Sequence, residues 1–204
     1  MNSSTSPTLN ININNAFKLY TQGAYDPEKP TLLIDDFFQL HHDHIVRIFG
    51  DDVPNTVLMG MIGSEVGEAI NEARRKEINY DSFGEELADI LLRIGHFAVK
   101  NTIHLEPLLI KKISIQLQKQ TIQDDPLYYR TPIALLSRLF IVVGQLVDLC
   151  EKPVLNLEKT GNKLSDLVLL VAYIGVKHMV DFDDILCQKL LKNIEKGNYK
   201  NRSC

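Results

Sequence analysis

Apolar residues recur three and four positions apart along most of the chain, with polar residues filling the positions between them. This spacing is typical of amphipathic helices, whereas no segment shows the strict alternation of a half-buried strand. Gly50 ends the first stripe and Pro54 stands at the start of the second. The stripes predict helices over Leu32–Phe49, Pro54–Ala73, Leu87–Ala98, Glu106–Gln123 and Ile133–Cys150. The predicted fold class is therefore all-α.

The second part of the chain repeats the first when the sequence is shifted so that Leu87 overlies Leu164. At this shift, which we call the repeat offset, identical pairs also include Asp89 and Asp166, Leu92 and Leu169, and Lys100 and Lys177. Extending the match to residues 133–150 requires a gap, which places Gln145 and Asp148 opposite Glu65 and Glu68. We therefore predict a largely irregular N-terminal segment (1–30), a first helical repeat (31–124) and a degenerate second repeat (125–204).

Two carboxylate pairs lie beside the apolar stripes of the first repeat: Glu65 with Glu68, and Glu86 with Asp89. Residues three apart share a helix face, so each pair projects in one direction. A predicted turn at 78–83 would fold the two helices together and bring the four acids into one cleft. Clustered carboxylates repel unless a cation neutralises them, and oxygen ligands suit Mg²⁺ or Mn²⁺. The sequence predicts a metal site here, with Glu68 as the base for an attacking water.

Four polar side chains are candidates for binding a substrate near this site. Arg93 lies one helical turn beyond the second carboxylate pair, where it could meet a phosphate. Lys112 and Lys189 occupy equivalent positions in the two repeats, and Asn193 follows Lys189 by one turn. A lysine and an amide on one helix face can hold a phosphate and a sugar or base edge.

The second repeat has lost most of these groups. At the repeat offset, Glu86 becomes Lys163, Arg93 becomes Leu170 and His96 becomes Tyr173; these replacements lead us to expect one metal site per chain. The sequence HHDH at 41–44 also invites a metal hypothesis. Histidines within one helical turn point in different directions, so we expect no site there.

Composition narrows the remaining function classes. The net charge of −4 and the absence of a basic stripe give no support for nucleic-acid polymers as partners. No run of about 18 apolar residues is present, so we predict no membrane-spanning helix. Three widely spaced cysteines without a CxxC motif are typical of reduced thiols, and the N-terminus lacks the pattern of a signal peptide. We expect a cytoplasmic protein.

The ExxE motif at Glu65–Glu68, followed after seventeen residues by ExxD at Glu86–Asp89, resembles the paired signature of the MazG-type all-α nucleoside triphosphate pyrophosphohydrolases. The surrounding GEELADILLRIGHFA also resembles that family's second motif helix. The C-terminal stretch with Lys189 and Asn193 is similar to the family as well. The likeness covers roughly residues 32–120 and, in decayed form, residues 133–202.

The resemblance implies Mg²⁺-dependent hydrolysis of a nucleoside or deoxynucleoside triphosphate to the monophosphate and pyrophosphate. It also implies two fused helical-bundle repeats packed as an internal pseudo-dimer, and it makes a homodimer of the fused chain one expected assembly. A house-cleaning role on the nucleotide pool is what the family suggests. Neither the base nor the sugar of the substrate follows from these residues.

Three other interpretations remain open. The acids could form salt-bridged helix faces without a metal, or the chain could be a non-catalytic nucleotide-binding or structural protein with a decayed MazG fold. A carboxylate-bridged di-iron enzyme normally uses Glu-x-x-His motifs, which neither carboxylate pair provides. Phosphoribosyl-ATP hydrolysis is a further variant within the same superfamily.

Overall fold

The computed structural model describes residues 34–118 and 130–200, and within these ranges the backbone forms seven α-helices and no strand. The helices are α1 (Ile34–Phe49), α2 (Asn55–Ala73), α3 (Tyr80–Lys100), α4 (Leu105–Gln118), α5 (Pro132–Cys150), α6 (Leu157–Lys177) and α7 (Phe182–Lys200). The all-α prediction is confirmed for the described residues. The predicted irregular segment 1–30 lies outside them, as does the predicted end of the fourth helix.

The break between α2 and α3 lies earlier than the sequence predicts. The linker covers residues 74–79, so most of the turn predicted at 78–83 is helical. Asn79 is the N-cap of α3, and its side-chain oxygen accepts hydrogen bonds from the backbone N–H groups of Asp81 and Ser82 at 3.1 and 3.3 Å. A capping side chain satisfies amide groups that the helix leaves unpaired. The polar residues that favour a turn therefore start the helix instead.

Helices α2 and α3 recur as α5 and α6 with both bounds moved by the repeat offset, and the start of α4 recurs in the same way as the start of α7. Details at the helix ends recur too. Asn79 and Asn156 both cap with their side chains, and Thr102 and Met179 both have positive φ angles, of 54° and 58°. The residue after each positive φ donates a backbone hydrogen bond back into the preceding helix, at 2.8 and 2.9 Å, as in a Schellman motif.

This constant offset corrects the alignment that the sequence suggested for the carboxylate helix. No gap is needed, because α2 and α5 have the same length and are followed by linkers of equal length. The position equivalent to Glu65 is therefore Val142, and the position equivalent to Glu68 is Gln145. Asp148 does not correspond to Glu68.

The two halves contact each other through equivalent positions. Gly84 of α3 and Gly161 of α6, which are related by the repeat offset, each face two apolar side chains of the other half. The partners are Ile185 and Val180 for Gly84, and Leu108 and Ile103 for Gly161. The same offset relates each partner of one glycine to a partner of the other. The two halves therefore exchange these contacts between equivalent positions.

Helix α1 has no counterpart at this offset among the described residues. It packs across α3, where the ring of Phe38 lies against Gly95 so closely that a Cβ atom there would be 2.2 Å from it. Phe37, Phe38 and Ile34 are fully buried in this contact region. α1 therefore covers one side of the first half and forms a wall of the cavity described below.

By length and composition alone, α5 is one described helix that could cross a membrane, with a mean hydropathy of 1.9 over an 18-residue window. Buried core helices of soluble proteins satisfy the same criterion, although only 28% of this window is buried. Its inner residues pack on α2 and α6, whereas Ile141 and Phe140 remain exposed although the Phe140 ring lies beside Gly63 and Gly67 of α2. The helix therefore presents an apolar surface that the sequence analysis did not single out.

Candidate metal and phosphate site

Three of the four predicted metal ligands converge between α2 and α3. Glu65, Glu68 and Glu86 each present a carboxylate oxygen within 4.8 Å of the others. The two glutamates of α2 share a helix face because they are three residues apart, and α3 packs alongside with Glu86 directed at them. Of the described acidic, histidine and cysteine side chains, this trio is the group whose geometry could hold a metal ion.

The trio carries more negative charge than its surroundings balance. The pKa of Glu86 is raised to about 7, first by burial and then by the negative charge of Asp89, which outweighs the opposing effect of Lys189; Glu68 and Glu65 raise it further. A carboxyl group that holds its proton near neutral pH marks a position where a cation would be strongly favoured. Three convergent carboxylate oxygens on rigid helices also fit the ligand preference of Mg²⁺ or Mn²⁺.

The fourth predicted ligand, Asp89, is paired with a lysine from the other half of the chain. Lys189 of α7 donates from Nζ to Asp89 Oδ2 at 2.6 Å and lies 3.1 Å from Glu85 Oε2. Burial lowers the pKa of Lys189, but the hydrogen bonds and charges of Asp89 and Glu85 outweigh this effect and the net pKa is raised. The lysine is thus held as a cation beside the trio.

Arg93 is also paired with a predicted metal ligand. Its Nε donates to Glu65 Oε1 at 3.0 Å, and its Nη1 lies 3.9 Å from the Met61 sulfur. Arg93 also lines the cavity between α1, α2 and α3, and its side chain is 37% exposed. A guanidinium in this position can bind a phosphate oxygen while it stays bonded to the carboxylate.

A cavity of about 480 Å³ lies beside the trio, between α1, α2, α3 and α7. Its polar wall is formed by Glu65, Asp89, Arg93, Lys189, Lys192 and Asn193. Its apolar lining includes Ile45, Ile48, Phe49, Val53 and Leu58. Four of the predicted site residues besides Glu65 therefore meet in one place, although they come from both halves of the sequence. Glu68 and Glu86 do not line the cavity themselves, but each presents a carboxylate oxygen within 4.8 Å of Glu65, which does.

Histidines that the sequence analysis set aside belong to this cavity. His41, His44 and His96 line it, whereas the expectation of no metal site at residues 41–44 stays a prediction. His42 faces His96 with 3.2 Å between their Nδ1 atoms, and such a hydrogen bond requires one ring to be neutral. The pKa of His96 is lowered to about 4, by burial and then by His42, and burial lowers that of His41 to about 3. The rings of His41 and His96 are neutral hydrogen-bonding groups at physiological pH.

Lys112 does not reach this cavity. Its ammonium contacts Asp166 and donates to the backbone carbonyl of Asn162 at 2.6 Å. This arrangement mirrors Lys189 on Asp89, because the repeat offset relates the two lysines and the two aspartates. The structure therefore separates the two lysines that the sequence grouped together, since each half extends its lysine to the other half's aspartate.

The place in the second half that corresponds to the trio holds a different pair. Lys163 Nζ donates to Gln145 Oε1 at 2.6 Å, where the first half has Glu86 beside Glu68. The third position is Val142. The lysine is cationic and the amide is neutral, so this pair has no negative charge that a metal ion would neutralise. The expectation of one metal site per chain stays a prediction.

Comparisons of the chain with models of known protein families, with curated proteins and with solved structures find no match.

Proposed function

We propose that the chain is a metal-dependent nucleoside triphosphate pyrophosphohydrolase with one active site, built by α1, α2 and α3 of the first half and by α7 of the second. The observation that carries this proposal is the carboxylate trio of Glu65, Glu68 and Glu86 at the edge of a cavity with cationic and apolar walls. A chelating trio next to Arg93 and Lys189 suits a metal-bound polyphosphate. The resemblance of the two carboxylate motifs to the MazG-type family points to the same chemistry.

In this proposal the trio, joined by Asp89 when Lys189 releases it, would hold Mg²⁺ or Mn²⁺. The ion would supply charge neutralisation at the phosphates and lower the pKa of a bound water. Glu68 is the exposed member of the trio and would accept a proton from the attacking water. Arg93, Lys189 and Asn193 would orient the phosphates from the opposite side, and the apolar wall would accommodate the nucleoside.

The relation between the halves is part of the same proposal. The equal helix bounds and the exchanged contacts of Gly84 and Gly161 support two MazG-type repeats packed as an internal pseudo-dimer, with the domain limits predicted above. The exposed apolar face of α5 is a candidate surface for a homodimer of the fused chain. A cytoplasmic location with no nucleic-acid or membrane partner fits a nucleotide-pool enzyme.

A screen of pyrophosphate release tests the proposed reaction. Common and damaged nucleoside and deoxynucleoside triphosphates would be incubated with the protein and Mg²⁺ or Mn²⁺, with separate assays for pyrophosphate and orthophosphate. We expect equimolar monophosphate and pyrophosphate from at least one nucleotide, and loss of the signal with a chelator. Orthophosphate as the product, or no turnover of any member of the panel, would contradict the proposal.

The second candidate is a non-catalytic nucleotide-binding or structural protein. Two contacts favour it: Asp89 is already neutralised by Lys189, and Glu65 by Arg93. These pairs would let the helices pack without a metal. Nucleotide binding by calorimetry without turnover in the screen would select this alternative.

A further inference from the structure

Lys189 occupies the position that a divalent cation would need in order to use Asp89. Its Nζ is 2.6 Å from Asp89 Oδ2 and 3.1 Å from Glu85 Oε2, and its side chain is 13% exposed. Asp89 follows Glu86 by three residues on α3, and Glu86 presents a carboxylate oxygen within 4.8 Å of those of Glu65 and Glu68. Lys189 is thus the cation paired with Asp89 at the edge of a cluster of carboxylates, in which Arg93 pairs with Glu65 and Lys192 lies 3.9 Å from Glu85.

The other half shows what this lysine contact looks like where no acidic trio exists in the described structure. Lys112 contacts Asp166, and the neighbouring positions hold Lys163 and Gln145 instead of two glutamates. The lysine–aspartate pair is thus a constant feature of the fold and does not by itself indicate a metal site. In the first half, by contrast, two cations would compete for the aspartate: the lysine, and a metal ion held by the trio.

We propose that Lys189 is a resident counter-ion that competes with the divalent cation for Asp89 and is released toward the substrate phosphates when the cation binds. This inference rests on the proposed function and adds a coupling between metal and phosphate binding. Two cations a few ångströms apart repel, so a metal bound close to Asp89 weakens the lysine contact. The displaced ammonium remains on the wall of the cavity, where a bound anion would neutralise its charge.

Lys192 provides the control that separates this role from general electrostatics. It lies three residues further along α7 and also lines the cavity, but its Nζ is 3.9 Å from Glu85 and no contact joins it to Asp89 in the described structure. Its side chain is largely exposed, so solvent screens its charge. Removing it changes the net charge by the same amount as removing the charge of Lys189.

The first experiment measures Mn²⁺ binding without nucleotide, by electron paramagnetic resonance, for wild type and the variants Lys189→Met, Lys192→Met and Lys112→Met. We expect Lys189→Met to bind Mn²⁺ about tenfold more tightly than wild type. Lys192→Met and Lys112→Met should stay within about threefold of wild type, because Lys192 is solvent-exposed and is paired with Glu85 rather than with a proposed ligand, and Lys112 is paired with Asp166 of the other half. Circular dichroism would confirm that each variant is folded.

The second experiment uses the unmodified protein and so does not depend on any variant folding. Lysine acylation by a small N-hydroxysuccinimide ester would be followed by mass spectrometry, with and without Mg²⁺. While Lys189 is paired and protonated it should react slowly. Mg²⁺ should raise its acylation rate several-fold and leave that of Lys112 unchanged, and tripolyphosphate added with Mg²⁺ should protect Lys189 again.

The outcomes separate the inference from the proposed function. Mn²⁺ binding by wild type with equal or weaker binding by Lys189→Met overturns the counter-ion role and leaves the metal site standing. An acylation rate of Lys189 that Mg²⁺ does not change has the same meaning. If wild type and every variant fail to bind Mn²⁺, both the inference and the proposed function are wrong.

Discussion

The two halves of the chain share a backbone and differ in chemistry. Helix bounds, caps, positive φ angles and packing glycines recur at the repeat offset. The lysine–aspartate contacts recur as well, as Lys189 on Asp89 and Lys112 on Asp166. Within the described residues, only the first half places a carboxylate trio next to this contact, and only the first half is covered by α1. The difference shows that the helical arrangement does not require the acids.

Comparison with the second half indicates how the trio lowers the stability of the protein. Where Glu86 stands close to Glu68, the second half has Lys163 hydrogen-bonded to Gln145. That pair is joined by a hydrogen bond and brings no like charges together, whereas the trio leaves Glu86 with a pKa of about 7. Groups that oppose stability and persist in a cleft are typical of functional sites. The comparison therefore favours function in the first half and scaffold in the second, apart from α7.

The largest expected effect is on catalysis. Replacing Glu68 by Gln removes the proposed base and one ligand but keeps the shape of the side chain, so kcat should fall about 100-fold or more. The mirror variant Gln145→Glu alters the equivalent position beside Lys163 and should keep kcat within about twofold of wild type. Steady-state pyrophosphate release at saturating Mg²⁺ measures both. Equal losses in the two variants would show that both halves carry activity, and unchanged turnover in Glu68→Gln would remove Glu68 from the mechanism.

Much of the fold could be predicted because helical periodicity is a local property. The apolar stripes and the residues that interrupt them predicted the bounds of α2 and α5 to within one residue, since Pro54 and Pro132 stand at the helix starts. The linker before α3 was misplaced because Asn, Asp and Ser favour both turns and helix starts. Only the geometry of Asn79 separates these two roles.

The site was predictable only as far as residues on neighbouring helices define it. Three of the four acids converge because i and i+3 positions share a face and α2 packs on α3. The contact between Lys189 and Asp89 joins residues far apart in the sequence and depends on the crossing of the halves. No local feature of the sequence distinguished the role of Lys189 from that of Lys112. The histidines at 41–44 were considered only as metal ligands, and the positions of His41 and His44 on the cavity wall depend on how α1 packs across α3, which is not a local property.

A smaller effect is expected on stability, through Glu86. Its pKa of about 7 lies above the ordinary value of 4.5, so the folded state holds this proton at pH values where the unfolded chain has lost it. The contribution of Glu86 to stability is therefore fully present below pH 4.5 and is lost as the pH rises through 7. Without metal, Glu86→Gln should raise the melting temperature by about 2–4 °C at pH 8 and by much less at pH 4.5.

Lys163→Gln supplies the mirror control for this pH dependence. Lys163 stands at the equivalent position and is hydrogen-bonded, so its replacement should not raise the melting temperature at either pH. Differential scanning calorimetry in chelator measures both variants, and saturating Mg²⁺ should remove the advantage of Glu86→Gln by stabilising wild type. A melting temperature of Glu86→Gln that is equally raised at pH 4.5 and pH 8 would exclude charge as the cause.

The smallest effect tests the exchanged contacts themselves. A Cβ atom on Gly84 would lie 2.9 Å from Ile185 Cδ1, and one on Gly161 would lie 2.9 Å from Leu108 Cδ1. Crowding of this kind costs about 1–3 kcal/mol, but alanine favours a helix interior over glycine by about 1 kcal/mol. Because the closest atoms are the ends of flexible side chains, Gly84→Ala and Gly161→Ala should each lower the free energy of unfolding by only about 1 kcal/mol.

Whether the two glycine substitutions lower the free energy of unfolding by the same amount is a stronger test of the exchanged contacts than how large that amount is. If the halves meet through equivalent contacts, urea denaturation in chelator should give values for Gly84→Ala and Gly161→Ala that agree to within about 0.5 kcal/mol, and the double variant should show their sum. The trio lies only beside Gly84, so any excess loss in Gly84→Ala should disappear when Glu86→Gln is combined with it. A difference that persists in the Glu86→Gln background would mean that the two contacts are not equivalent, and the internal two-fold relation would then be limited to the helix bounds.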